Sequence, residues 1–243
     1  SILLLFTSFF ITVLAIYSFK FRGTSSGRYF FLLLFSIALF SFCYAFEIDS
    51  QRMYYKLFWL KAGYVGLSTI APLFLLFVLS FTGKERYINN WLLGLIVVLP
   101  LFTLIANYTN EMHHLYYTDI WIKEVGMFSV LVLIRGVLYW PLIVYTTLFN
   151  LISVALLVDI IIKKSGSFRT QSILMLLSTL PPWFINALYL LRESPDGVDF
   201  SAFGFMFTAI FISFALFNYH LLGFIPIALE NVFSSMHDGV ILL

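Results

Sequence analysis

The chain consists of seven long apolar stretches separated by short polar segments. Each stretch is long enough to cross a bilayer, because a membrane-spanning helix needs about 20 mostly apolar residues. The pattern predicts an all-α membrane protein, a seven-helix transmembrane bundle that occupies residues 1–220. The spans are expected near Ile2–Phe19, Tyr29–Phe46, Leu57–Phe81, Trp91–Asn107, Leu138–Ile162, Gln171–Leu190 and Ala202–Tyr219.

The composition supports a membrane location. Of the 243 residues, 61% are hydrophobic and only 11% are charged, whereas soluble domains average about 45–50% apolar and about 25% charged residues. Such a chain has no polar shell to present to water, so a lipid bilayer is its expected partner. The net charge of +2 is too small to suggest nucleic acid. The single cysteine, Cys43, can form no intrachain disulfide.

Charged residues are distributed unevenly between the two sides of the predicted bundle. The first, third and fifth connecting segments carry the basic residues Lys20, Arg22, Arg28, Lys84, Arg86, Lys163, Lys164 and Arg169. The other side has six basic residues over a greater length, together with the acidic residues Glu47, Asp49, Glu111, Asp119, Glu124, Glu193, Asp196 and Asp199. Positively charged segments tend to remain in the cytoplasm. The N-terminus is therefore predicted outside and the C-terminus in the cytoplasm.

The one long connection lies between the fourth and fifth spans, at 108–136. Two stretches rich in aromatic and β-branched residues, LYYTDIWIK and MFSVLVLIR, flank the short turn EVG. This arrangement predicts a β-hairpin over the outer mouth of the bundle. His113 and His114 precede it, close to Glu111 and Asp119. Imidazole and carboxylate groups suit a metal, an anionic ligand or a pH sensor, but they also serve as ordinary hydrogen-bonding groups in loops.

Polar side chains at membrane depth are few and therefore informative. Asn186 and Asn150 are the deepest strong hydrogen-bonding groups, and Asn186 follows a proline pair whose freed carbonyls need a donor. Lys61 and Tyr64 lie in the outer half of the third span. Lys61 is expected either to reach outward to the interface or to pair with one of the acidic residues after the second span, Glu47 or Asp49.

Several classes of membrane protein require groups that these spans lack. A proton pump needs carboxylates near the bilayer centre, a retinal protein needs a lysine in its last helix, and an intramembrane protease needs Ser/His or paired Asp. The seventh span, SAFGFMFTAIFISFALFNY, contains no lysine. We therefore predict no catalytic residue, no metal and no cofactor in this segment.

Several motifs occur in a characteristic order. They are FWLKAGYVGLSTIAPLFLLFVLSFTGKE, LPLFTLIANYTNEMHHLYY, LLSTLPPWFINALYLL followed by PDGVDFSAFGF, and LLGFIPIALENVFSSMHDGVILL. In this order the chain resembles the seven-helix N-terminal sensor region of bacterial and archaeal membrane histidine kinases, a region also found before diguanylate cyclase domains. Thr109, Asn110 and His113 match the outer turn of that family. His114 and the very hydrophobic second hairpin strand depart from it.

The resemblance implies a signal-input domain of a sensor kinase in two-component signal transduction. The full-length protein is expected to be a histidine kinase that contacts a response regulator only through domains beyond this chain. A small-molecule or lipid-like ligand is expected, with candidate binding residues His113, Asn110, Glu111, Tyr64, Lys61 and Asn186. The alternatives are the input domain of a diguanylate cyclase and a small-molecule transporter.

The same resemblance gives the C-terminal stretch a role. A signalling linker helix is predicted at 221–237, with Pro226, Leu229 and Met236 in the signal relay. Residues 238–243 are expected to begin a further cytoplasmic domain, of the PAS type. The resemblance also implies a homodimer. Apolar residues spaced by three and four fit either a parallel two-helix seam or packing on the membrane surface; they are Ile225, Leu229, Val232, Met236 and Val240.

Overall fold

A computed structural model describes residues 1–125, 128–191, 200–219 and 221–222. The predicted relay residues Pro226, Leu229 and Met236, most of the linker at 221–237 and the predicted domain start at 238–243 lie outside the described residues. The described part of the chain is mainly helical. Its α-helices are α1 Ile2–Ser18, α2 Ser25–Asp49, α3 Met53–Phe81, α4 Asn90–Tyr108, the single turn α5 Asn110–His113, α6 Trp140–Lys163, α7 Gly166–Leu190 and α8 Ser201–Asn218.

Every α-helix except the single turn α5 is long and apolar enough to cross a bilayer, so the described residues contain seven candidate spans. The seven-helix prediction is therefore confirmed. Local sequence sets several helix ends. At the start of α2, the Thr24 hydroxyl accepts a hydrogen bond from the Gly27 N–H at 3.1 Å. At the start of α4, the Asn89 side-chain oxygen accepts one from the Leu92 N–H at 2.8 Å. Gly83 has φ of 70°, which lets the chain turn sharply at the end of α3.

A two-stranded antiparallel sheet follows α5, with β1 at Tyr117–Val125 and β2 at Phe128–Arg135. The predicted hairpin is thus confirmed, although its closing turn at 126–127 lies outside the described residues. The hairpin lies at the end of the bundle where α2 and α4 end and α3 and α6 begin; we call this the hairpin end. Tyr117 and Leu131 are buried, whereas Trp121 is exposed, so the sheet has one face on the bundle.

The basic connecting segments all lie at the opposite end of the bundle. There Asp159, near the end of α6, forms ion pairs with Lys84 at 3.1 Å and with Lys163 at 2.6 Å. The first of these pairs connects the segment after α3 to α6. The basic segments that the sequence assigns to one side of the membrane therefore lie together at one end of the described bundle.

Two helix pairs approach closely at glycines. A Cβ atom on Gly66 of α3 would lie 2.4 Å from the Ser36 carbonyl oxygen of α2, and one on Gly204 of α8 would lie 2.6 Å from the Cα of Pro182 in α7. Small residues allow such contact between membrane helices. The α2–α3 and α7–α8 pairs are therefore tightly packed.

Candidate functional site

A cavity of about 370 Å³ lies inside the bundle. This volume falls in the range of roughly 300–1,000 Å³ that is usual for small-molecule sites. Its walls come from α2, α3, α6, α7 and α8, and residues of both strands, among them Tyr117, Leu131 and Arg135, close it at the hairpin end. The hairpin is therefore part of the cavity wall.

Most of the cavity wall is apolar. Apolar lining side chains below the hairpin include Leu33, Ile37 and Phe40 of α2, Phe74 of α3, and Phe205 and Ile212 of α8. On α8 the lining residues Ser201, Phe205, Thr208 and Ile212 recur at intervals of four, three and four, which puts them on one face of the helix. A molecule in the cavity would touch that face directly.

Lys56 is a fully buried cation in the cavity wall at the hairpin end. Its Nζ donates to the backbone carbonyl of Glu47 at 2.7 Å and to that of Ser129 at 2.5 Å, and so it ties the end of α2 to β2. The buried Glu47 side chain also lines the cavity. Only residues 50–52 separate α2 from α3, so the first turn of α3 is held against the last turn of α2.

A group of buried tyrosines lies between α3 and the hairpin. The hydroxyl groups of Tyr64 and Tyr117 are hydrogen-bonded to each other, and the ring of Tyr116 makes edge contacts with the rings of Tyr64, Tyr117 and Tyr139 at 5.0–5.7 Å. Burial, and the neighbouring tyrosines Tyr116 and Tyr139, raise the pKa of Tyr117 well above its ordinary value. Tyr117 is therefore a neutral hydrogen-bonding group at physiological pH.

Arg135, the last residue of β2, connects the hairpin to α7. Its Nη2 donates to the Tyr189 carbonyl at 3.2 Å and its Nη1 to the Leu190 carbonyl at 3.4 Å, which satisfies acceptors that every helix end leaves open. The guanidinium also lies over the rings of Tyr189, at 4.6 Å, and Tyr139, at 5.6 Å. Arg135 thus places a positive charge in the cavity wall.

Comparison with known families matches residues 3–226 to the N-terminal 7TM region of histidine kinase. The chain belongs to this family. The match covers all seven spans, so this histidine kinase 7TM region is a multi-pass protein of the cell membrane. A search of curated proteins found no match.

Two of the six predicted binding residues of the 7TM region line the cavity: Tyr64 and Asn186. Asn150, the other deep amide noted in the sequence, lines it too. The carbonyl that the proline pair frees at Ser178 is bonded by the hydroxyl of Thr208 on α8. Asn186 was considered as the donor that repairs this kink. At the Ser178 carbonyl the donor is Thr208 instead, a residue that the sequence did not single out.

Asn110 is buried outside the cavity and positions the start of the hairpin. Its Oδ1 accepts from the N–H groups of Tyr116 at 3.0 Å and Tyr117 at 2.9 Å, and its Nδ2 donates to the Tyr117 carbonyl at 3.0 Å. All these contacts are with backbone groups. Asn110 therefore positions Tyr117, which lines the cavity.

Lys61 and Glu111 form an ion pair at 2.6 Å on the surface of the 7TM region. Lys61 also donates to the Tyr108 carbonyl at 3.3 Å, so it faces α4 and α5. The alternative in which it pairs with Glu47 or Asp49 was wrong for this reason. Burial acts to raise the pKa of Glu111, but hydrogen bonds from Lys61 and the backbone outweigh it and the pKa is lowered. Glu111 is thus an anion at neutral pH.

His113 belongs to the turn that ends α5. Its Nδ1 accepts from the Leu115 N–H at 2.9 Å, and its Nε2 lies 3.1 Å from the Thr109 hydroxyl. His114 is exposed and has φ of 50°. Ligand roles for His113, Asn110, Glu111 and Lys61 remain predictions, since the structure places these residues around the base of the hairpin and not in the cavity wall.

Proposed function

We propose that the chain is the signal-sensing input domain of a membrane sensor kinase in two-component signal transduction. A molecule bound in the cavity would change the packing of α8, and α8 would carry that change toward an output domain. The observation on which the proposal depends is that one cavity is lined both by the hairpin and by one face of α8 from Ser201 to Ile212. Family membership agrees with this role.

The contact between α7 and α8 is the element that we expect to respond. Thr208 and Ser178 both line the cavity, and the Thr208 hydroxyl donates to the Ser178 carbonyl at 2.5 Å. A ligand that presses on this face, or that competes for this bond, would favour one of two packings of α8 against α7. A ligand shifts such an equilibrium only by its difference in affinity for the two states.

The proposal includes a direction across the membrane. We place the hairpin end outside and the end with Asp159 and its lysine partners in the cytoplasm, because basic segments tend to remain there. Signal would then leave α8 through the predicted linker at 221–237. A homodimer, a PAS domain and a response regulator belong to this proposal, and a diguanylate cyclase output is the alternative to the kinase.

The proposal is tested by filling the cavity in the full-length protein. Thr147 of α6 lines the cavity, whereas the adjacent Leu148 is exposed on the outer surface of the bundle. We expect Thr147→Trp to change autophosphorylation in lipid nanodiscs by about five-fold or more, the lower end of usual allosteric couplings. Leu148→Trp, which adds the same ring outside the cavity, should leave autophosphorylation unchanged.

Thermal unfolding of both variants shows whether each is folded. Equal autophosphorylation by two folded variants would remove the cavity from signalling and contradict the proposal. If the output is a cyclase, product formation replaces autophosphorylation in the same comparison. Flux of a solute through the chain in liposomes would instead support the transporter.

A further inference from the structure

We infer that the cavity binds an amphipathic molecule with one anionic group, of the fatty-acid or acyl-carboxylate class. Its anionic group would lie at the hairpin end, beside Arg135 and Lys56, and its apolar chain would run along α2 and α8. This inference rests on the proposed function and names the chemistry of the ligand. Three observations carry it: the length of the cavity, the position of its charges and their balance.

The cavity is long and apolar over most of its length. Its lining residues on α2 run from Leu33 to Ile48, which is about 22 Å of helix at 1.5 Å per residue. On α8 they run from Ser201 to Ile212, about 16 Å on the same scale. An elongated hydrocarbon chain fits such a wall better than a compact polar solute, because every buried CH₂ adds to binding.

The charged lining residues are all at one end. Of the described residues that line the cavity, Glu47, Lys56 and Arg135 are the charged ones. Glu47 is in the last turn of α2, Lys56 in the first turn of α3, and Arg135 at the end of β2. The cavity therefore has a charged end and a mainly apolar body, with the amides Asn150 and Asn186 on its α6 and α7 side. An amphipathic ligand has the same division.

The balance of these charges favours an anion. Lys56 lies in the field of two carboxylates, Glu47 and Asp49, so Arg135 is the lining cation with no carboxylate among its described contacts. These contacts of Arg135 are two backbone carbonyls and two tyrosine rings, all of them neutral. A ligand with one negative charge would balance the wall, and a guanidinium offers a planar pair of donors to a carboxylate.

A cationic ligand is disfavoured by the same geometry. Aromatic rings that could receive a cation are present, but the rings of Tyr139 and Tyr189 already have the guanidinium of Arg135 within 4.6–5.6 Å. A second cation there would face a like charge at short range. Like charges brought together at a contact shielded from water disfavour the wrong partner.

Two tryptophans make the inference measurable. Trp59 and Trp183 line the cavity, whereas Trp91, Trp121 and Trp140 are exposed. We would replace the exposed three by Phe in the full-length protein and follow quenching of the remaining fluorescence in phosphatidylcholine nanodiscs. The probes are 11-bromoundecanoate and the uncharged 11-bromoundecanol, which have the same chain.

We expect the bromo acid to quench saturably, with an affinity about ten-fold or more above that of the alcohol, since hydrogen bonds to charged groups are worth that much. Arg135→Gln should remove this preference and Arg135→Lys should keep most of it. Arg28→Gln, at an exposed site on the opposite end, should change nothing. Thr147→Phe, which fills the cavity without adding a fluorescent tryptophan, should abolish saturable binding of both probes.

Equal affinity for acid and alcohol in the unmutated cavity would overturn the inference, and that comparison stands even if Arg135→Gln does not fold. The inference would also be overturned if neither probe bound saturably. In that case an effect of Thr147→Trp on autophosphorylation would still support the proposed function. Adding anionic phosphatidylglycerol to the nanodiscs distinguishes the sources: competition with the bromo acid indicates a membrane lipid, and unchanged affinity indicates a free acyl anion.

Discussion

At the scale of single residues, prolines explain two polar contacts inside the membrane. A proline has no N–H, so the carbonyl four residues before it loses its helical donor. Pro72 frees the Ser68 carbonyl, which accepts from the Tyr145 hydroxyl of α6 at 3.0 Å. Pro182 frees the Ser178 carbonyl, which Thr208 bonds. Lipid offers no replacement donor, and so a neighbouring helix supplies one in each case.

The dependence of Tyr145 on Pro72 can be measured with a double-mutant cycle. Tyr145→Phe removes the donor to Ser68 and should lower the free energy of unfolding by about 0.6–1.7 kcal/mol, the range for hydrogen bonds between membrane helices. In a Pro72→Ala background, the new N–H at position 72 can bond Ser68, so the same change should cost close to nothing. Unfolding in mixed detergent micelles gives all four free energies. Equal costs in both backgrounds would show that the bond does not serve the proline.

At the scale of elements, the contact between α7 and α8 depends on a missing side chain. A Cβ on Gly204 would lie 2.7 Å from the Pro182 nitrogen and 3.1 Å from the Pro181 carbonyl carbon. These atoms belong to backbone and to a rigid ring, so they cannot turn aside as a flexible side chain would. Separation of the two helices is the only way to accommodate a methyl group.

Gly204→Ala should therefore destabilise the bundle by about 1–3 kcal/mol, as overpacking usually does. The matched control is Gly94→Ala in α4, where an added Cβ has nothing within 4 Å. Alanine favours a helix over glycine by up to about 1 kcal/mol, so the control should be neutral or slightly stabilising. Unfolding free energies of the two variants decide the matter. A Gly204→Ala protein as stable as its control would argue against tight α7–α8 packing.

Elements were predictable from sequence because their causes are local. Length and hydropathy fixed the seven spans, and aromatic and β-branched residues around a short turn fixed the hairpin. The charged end of the cavity was not predictable in this way. In the sequence Lys56 and Arg135 are indistinguishable from other charges near connecting segments. They reach the same cavity because residues 50–52 turn the chain between α2 and α3 and because the strand register pairs Arg135 with Tyr117. Tyr64 and Asn186, which line the cavity, stood out in the sequence because polar groups within apolar spans are conspicuous, whereas Thr208 resembles any membrane threonine.

At the scale of the whole molecule, the distribution of charge distinguishes the two ends of the bundle. The end opposite the hairpin collects the basic segments after α1, α3 and α6, and one carboxylate there, Asp159, is already paired with two lysines. Among the described residues, the hairpin end carries the acidic residues Glu111, Asp119 and Glu124. Only the first of these ends fits the cytoplasmic face under the positive-inside rule, which gives the proposed orientation a physical cause.

Orientation can be measured by cysteine labelling, since the single native thiol, Cys43, is buried. In a Cys43→Ala background, Met112→Cys would place a thiol on α5 at the hairpin end, where Met112 is 85% exposed. Ser165→Cys would place one at the exposed start of α7, at the other end. A membrane-impermeant maleimide added to intact cells should label position 112 and reach position 165 only after the membrane is opened. The reverse pattern would invert the orientation, and with it the face of the membrane from which the hairpin closes the cavity.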